Sequence, residues 1–114
     1  MRKTGKLGTA WSVDTLPGLV LVILCISSFA LADSGNDNYK KRCAPCHGAA
    51  GAGDTMIGKN QKIRSLRSAE VQKQSDETLF NIISKGKYKM PAFDRKLSKG
   101  DIHDLVRHIR AFNK

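Results

Sequence analysis

The sequence predicts an all-α domain whose helices wrap around a bulky bound group. Three observations predict it. Apolar residues recur at helical spacing in two segments, at Leu79, Ile82 and Ile83 and at Ile102, Leu105, Val106, Ile109 and Phe112. No stretch alternates apolar and polar residues as a half-buried strand does. The segments between helices are long for so small a chain, and loops of that length in a compact domain need something to pack on.

The chain opens with the features of an export signal. Arg2, Lys3 and Lys6 precede an apolar run from Leu16 to Phe29, interrupted by Pro17, Gly18, Ser27 and Ser28. Ala30-Leu31-Ala32 then sets small residues at the two positions a signal peptidase reads, and Asp33 follows. This order predicts a secretory signal over residues 1–32, cleaved after Ala32, and a folded domain over residues 33–114 in the periplasm or another exported compartment. The alternative is an uncleaved membrane anchor, but the run is at or below the ~17–25 residues a spanning helix needs. Cys25 follows Leu24, where a lipid-bearing cysteine would follow a small residue, and so reads as an apolar residue lost with the signal.

Cleavage would leave 82 of the 114 residues. Taking the three Lys/Arg and one Asp of the signal from 20 and 10 leaves 17 basic residues against nine acidic ones. A domain this small buries only roughly 60–65% of its unfolded surface, and such domains often need a staple. Cys43 and Cys46 are the cysteines that remain. They stand too close for a disulfide between them to constrain much of the unfolded chain. They must therefore hold something else. The basic charge suits nucleic acid, a membrane surface or an acidic protein. Export, and the lack of a basic helix or an aromatic-interleaved strand, set nucleic acid aside and leave an acidic protein partner.

The elements follow in order. A first helix is predicted from about Asn36 to Cys46, with Tyr39 and Cys43 on one face, Lys40, Lys41 and Arg42 in water, and Gly48 as its stop. Residues 48–58, with four glycines, are predicted as a loop. Gly51-Ala52-Gly53 lacks the preceding strand and the Gly-Lys-Ser/Thr ending of a phosphate loop. A short, weak helix spans Ser68 to Gln74 with Ser68 as cap. Ser75 caps the next, which runs to Lys85 and ends at Gly86. Lys87 to Lys96 is a loop in which Pro91 keeps Met90 extended. Ser98 caps the last helix, with Asp101 completing a capping pattern in place of the usual Glu.

Cys43-Ala44-Pro45-Cys46-His47 carries the chemistry. Two thiols at i and i+3 can form thioether bonds to the two vinyl groups of a haem, and the adjacent imidazole then becomes the iron's proximal ligand. Three other readings compete. A thioredoxin-like pair needs a strand–helix–strand context. Zinc needs about four ligands, and His103 and His108 lie far along the chain. A local disulfide explains neither His47 nor the glycine-rich loop. Covalently attached haem c, one per chain, is the expected cofactor.

Met90 is the candidate for the second axial ligand, in a proline-fixed loop well separated from His47, although packing alone is its other reading. Met56 stands nine residues after His47 and reads as a haem contact. His103 falls on the polar side of the last helix, and His108 near its apolar stripe. Thioether ligation favours reduced iron and raises the potential.

From Gly35 to Phe112 the chain resembles the class I c-type cytochromes, particularly the small soluble bacterial ones. Gly35, Tyr39 and Cys43 match that family's glycine, aromatic and first haem cysteine. Gly86-Lys87-Tyr88-Lys89-Met90-Pro91-Ala92-Phe93 resembles its distal-ligand segment. The resemblance implies that Gly35 and Tyr39 pack on the last helix, facing Leu105 and His108. It also implies a one-electron carrier between redox proteins, a monomer with no small-molecule substrate and no catalytic residue. Its partners would be acidic redox proteins, membrane oxidases or reductases among them. Lys85, Lys87 and Lys89, with Lys59, are candidates to steer them.

The sequence departs from the family in three places. His108 stands where an aromatic is usual. No proline lies between Gly48 and Met56 to offer its carbonyl to the proximal imidazole, so another backbone carbonyl is expected there. Trp11, the sole tryptophan, goes with the signal, which leaves Lys59, Arg64 or Tyr88 to meet a haem propionate. Two rival functions are an open-site haem enzyme or gas-binding domain, and a membrane-tethered subunit of an oxidase or dehydrogenase complex.

Overall fold

A computed structural model describes residues 33–114. The segment read as a signal, with Cys25, Trp11 and the cleavage site after Ala32, lies outside the described residues. Among the described residues the fold is all-α, as expected, and the sole β feature is an isolated bridge between Lys87 and Met90.

The first helical stretch begins earlier than predicted and is not uniform. α1 (Ser34–Asn38) is capped by the Asp33 side chain. A π-helical turn follows at Tyr39–Cys43, and α2 (Ala44–His47) completes the stretch. Pro45 supplies the reason for the change of pitch. A proline ring clashes with the carbonyl four residues back in an α-helix, and a wider turn just before it relieves that clash. The Ala44 N–H reaches back five residues to the Tyr39 carbonyl. Such wide turns recur at functional sites. Gly48, at φ +83, ends the stretch as anticipated.

α3 (Met56–Asn60) corrects the prediction of an uninterrupted loop over residues 48–58. Thr55 caps it, accepting a bond of 2.9 Å from the Gly58 N–H. α4 (Ala69–Gln72) and α5 (Asp76–Lys85) start where Ser68 and Ser75 predicted. α6 (Lys99–Ala111) has both arms of a capping box. The Asp101 N–H donates to Ser98 Oγ at 3.1 Å, and the Ser98 N–H donates to Asp101 Oδ2 at 3.0 Å. Aspartate therefore does the work of the usual glutamate, and the Ser98 hydroxyl, donating to Asp101 Oδ2 at 2.7 Å, followed by the Ser98 N–H, holds its carboxyl below the ordinary carboxylate range.

The core forms where the stripe of α6 meets the other elements. Leu105 has no exposed surface, and Ile102, Val106 and Ile109 are buried with Leu79, Ile83, Phe93 and Leu97. α1 crosses α6 at backbone contact. A Cβ on Gly35 would stand 2.6 Å from the Asp104 carbonyl oxygen, so the glycine meets α6 at the Asp104 backbone. Tyr39 is 1% exposed. Its ring lies 4.7 Å from His108 and 5.2 Å from Phe112, and its hydroxyl donates to the Gly48 carbonyl at 2.8 Å. His108 thus fills the usual aromatic's place, with Phe112 edge-on to it at 5.0 Å.

Arg110 holds the far side of α6. Its guanidinium donates to the Gln72 carbonyl at 2.7 Å, to Asp76 Oδ1 at 2.9 Å and to the Gln74 carbonyl, which ties α6 to the link between α4 and α5. Gly35→Ala is expected to destabilise the domain by about 1–3 kcal/mol, because two backbones must move apart. Thermal denaturation followed by circular dichroism should show a midpoint lower by roughly 4 °C or more.

Candidate cofactor site

Three elements supply the site. The π turn and α2 present Cys43, Cys46 and His47; α5 presents Leu79 and Ile82; the loop after α5 presents Met90 and Phe93. All line one cavity of about 500 Å³, within the ~300–1,000 Å³ of sites for sizeable organic ligands. A smaller space of about 50 Å³ touches Cys43, His47 and Met90 together with Tyr39 and Ile109. His47 and Met90, 43 positions apart in sequence, therefore border the same space.

The turn carrying the cysteines is held by its backbone. Thr55 Oγ1 donates to the Cys46 carbonyl at 2.8 Å, and the Gly53 N–H donates to the His47 carbonyl at 2.7 Å. Met90 is held as firmly. The Lys87 and Met90 backbones exchange bonds of 3.2 and 3.0 Å, and the Phe93 N–H donates to the Ile83 carbonyl at 3.1 Å. Gly86, at φ +76, makes this turn possible: a Cβ there would stand 2.5 Å from the Met90 carbonyl oxygen.

The electrostatics suit a bound metal complex with thioether links. Burial lowers the pKa of His47, which favours the neutral imidazole that a metal takes. Its Nδ1 is buried with no hydrogen-bond partner. The backbone carbonyl expected to orient the ring is therefore not supplied, and His47 is positioned through its main chain instead. Burial first, then Cys46, push the Cys43 thiol up to about 11 against the lowering effect of Arg42. A thiolate there would be costly, whereas a thioether carries no charge to bury. Both thiols are free of any disulfide.

The other candidates separate clearly. Met56 is 80% exposed and lies off the cavity, so the expectation that it touches the haem is corrected: Thr55 starts α3 with Met56 turned to solvent. His103 is exposed, its ring 4.6 Å from Phe80, and neither it nor His108 lines the cavity. Arg64 and Tyr88 do line it; Lys59 and Lys85 do not. Arg42 and Lys62 line it too, although neither was anticipated. Arg42 had read as a solvated charge, and Lys62 gave no signal. With Arg64, Lys87 and Lys89 they make five exposed cationic residues around the cavity, with no carboxylate among the lining residues.

Helices gathered on a cavity that presents Cys-Ala-Pro-Cys-His and a loop methionine define a class I c-type cytochrome. Residues 30–109 match the family described as cytochrome c oxidase, cbb3-type, subunit III, and the chain belongs to that family. It is 32% identical over 95 residues to a cytochrome c6 of Cyanidioschyzon merolae, covering 82% of this chain and 88% of that one. It is 27% identical over 77 residues to a cytochrome c6 of Gracilaria tenuistipitata var. liui, covering 68% of each. The solved structure of the KustC0563 c-type cytochrome superposes with a TM-score of 0.65 at 34% identity, covering 70% of this chain and 98% of that one.

The residues fit the group this family carries. The cavity size, the two free thiols and the His47 imidazole on the cavity wall all suit haem c, covalently bound through Cys43 and Cys46. Haem supplies a one-electron ferric–ferrous couple. The chain supplies attachment, an apolar wall and a cationic rim.

Proposed function

We propose that the protein is an exported one-electron carrier with His47 and Met90 as its two axial ligands. The observation that carries this reading is that both residues border the same cavity. Two protein ligands leave no position for a substrate, so the chain needs no acid, base or nucleophile. Its residues exclude water, favour the reduced state through the thioether of Met90, and present a positive rim. That rim supports acidic redox proteins as partners, with membrane oxidases or reductases among them, met by a monomer. Among the described residues no helix is long and apolar enough to cross a membrane. The signal features of residues 1–32 support release after Ala32 into the periplasm or its equivalent.

The test is spectroscopic and kinetic. The ferric protein should show the weak sulfur-to-iron charge-transfer band and bind cyanide slowly. Its rate with reduced flavodoxin, an acidic flavoprotein, should fall steeply with salt, because steering raises on-rates by roughly 10–1,000-fold only while charges are unscreened. Rapid cyanide binding without the band would favour an open-site enzyme or gas sensor. A second reading, a tethered subunit of an oxidase, draws on the description of the matching family. Mass spectrometry that found residues 1–32 on the mature protein would support it.

A further inference from the structure

Tyr88 is the most exposed of the large apolar and aromatic residues described, at 96%. It sits at φ +53, in the left-handed region, where a glycine or an asparagine would rest at lower cost. The turn that holds it is closed on both sides by the backbone bonds between Lys87 and Met90. Its hydroxyl makes no hydrogen bond among the described residues. Nothing in the fold's own stability therefore explains a tyrosine at this position, and strained residues of this kind gather at sites that bind.

Its surroundings say what it could bind. Tyr88 lines the mouth of the cavity between Lys87 and Lys89. Lys87 Nζ stands 5.5 Å from the centre of its ring. Of the five cationic residues around the mouth only Arg64 has an ion pair among the described residues, with Glu70 at 2.8 Å. The result is an aromatic ring held out by a short, rigid turn and flanked by cations with no carboxylate of their own. Binding through it would cost little ordering entropy, since the turn is already fixed. Tyrosines so placed are frequent energetic centres of protein interfaces.

We infer that Tyr88 is the central anchor of the docking surface. Its ring enters an apolar recess that acidic residues border beside the partner's own redox centre, while Lys87 and Lys89 meet those acids. This rests on the acidic-partner reading above and adds to it the residue that fixes the docked pose.

The test uses the matured, haem-bearing chain and its Tyr88→Gly and Tyr88→Phe variants, with reduced flavodoxin as the docking probe and free reduced flavin mononucleotide as a reductant that needs no docking. Tyr88→Gly should slow the flavodoxin reaction by about tenfold, and Tyr88→Phe by less than about twofold. Each flavodoxin rate is read relative to the same variant's rate with the free flavin, so that a change at the haem itself divides out. Tyr88→Gly should keep the sulfur-to-iron band and melt no lower than the parent, because glycine relaxes the turn. The ratio of parent to Tyr88→Gly rates should persist from about 10 mM to about 200 mM salt, because an apolar contact is not screened. A Tyr88→Gly variant that matches the parent with flavodoxin would overturn the inference. So would loss of its band, which would make Tyr88 a structural part of the ligand turn. A parent rate indifferent to salt would instead sink the acidic-partner reading, with the anchor still judged by the variant ratio.

Discussion

Replacing Cys43 and Cys46 together by alanine is expected to yield a chain that neither retains haem after acid-acetone extraction nor folds. The cavity of about 500 Å³ opens to solvent at its cationic rim, so without haem the apolar wall of Leu79, Ile82 and Phe93 would face water. A domain of 82 residues has only roughly 4–12 kcal/mol of stability to set against that exposure. Circular dichroism of the double variant should show lost helix and no cooperative melting. Cys46→Ala alone keeps one covalent link and should keep both colour and a cooperative, lower transition. A double variant that stayed red through extraction would refute covalent attachment at these thiols.

Met90→Ala is expected to have the largest effect on redox behaviour. Axial ligands move haem potentials across a range of ~0.8 V, and a methionine opposite histidine sets a high value. Its loss should lower the potential by on the order of 0.1 V or more. The ferric sulfur-to-iron band should vanish, and cyanide and carbon monoxide should bind rapidly. Met90 is only half-buried against the core, so the packing loss should lie near the lower end of the usual ~2–5 kcal/mol for such truncations. Met90→His separates ligation from packing. It should bind external ligands slowly, as the parent does, yet sit at a lower potential. A Met90→Ala variant with unchanged spectrum and potential would remove Met90 from the ligand set.

Much of the fold was legible because its boundaries are local. Ser68, Ser75 and Ser98 each cap the helix they were expected to cap, and Gly48 and Gly86 end helices at positive φ. A cap is a bond between neighbours in sequence, so it can be read there. The motif from Cys43 to His47 was legible for the same reason. What escaped the sequence depends on distant neighbours. α3 was hidden by Gly58, which weakens a helical reading. The glycine is there because the Gly53 and Cys46 carbonyls press on it, the latter 2.7 Å from where a Cβ would stand. The π turn was hidden because its cause, the ring of Pro45, acts through backbone clash and not through side-chain pattern. Arg42 read as ordinary surface charge, and Lys62 gave no signal, until the chain placed them at one opening. Arg110 grips three acceptors on another part of the fold, which no local pattern signals.

The crossing of α1 on α6 bears on the order of events during maturation. Ser34 and Asp104, which bond to each other there, are seventy residues apart. Joining such distant segments carries a loop-closure cost that local helices do not meet. On the proposed reading of an exported chain, the two thiols would pass a translocation pore well before α6 follows to cover Tyr39. Haem attachment could then precede the closing of α1 on α6, because Gly35 and Asp104 can meet only once the last helix has been delivered.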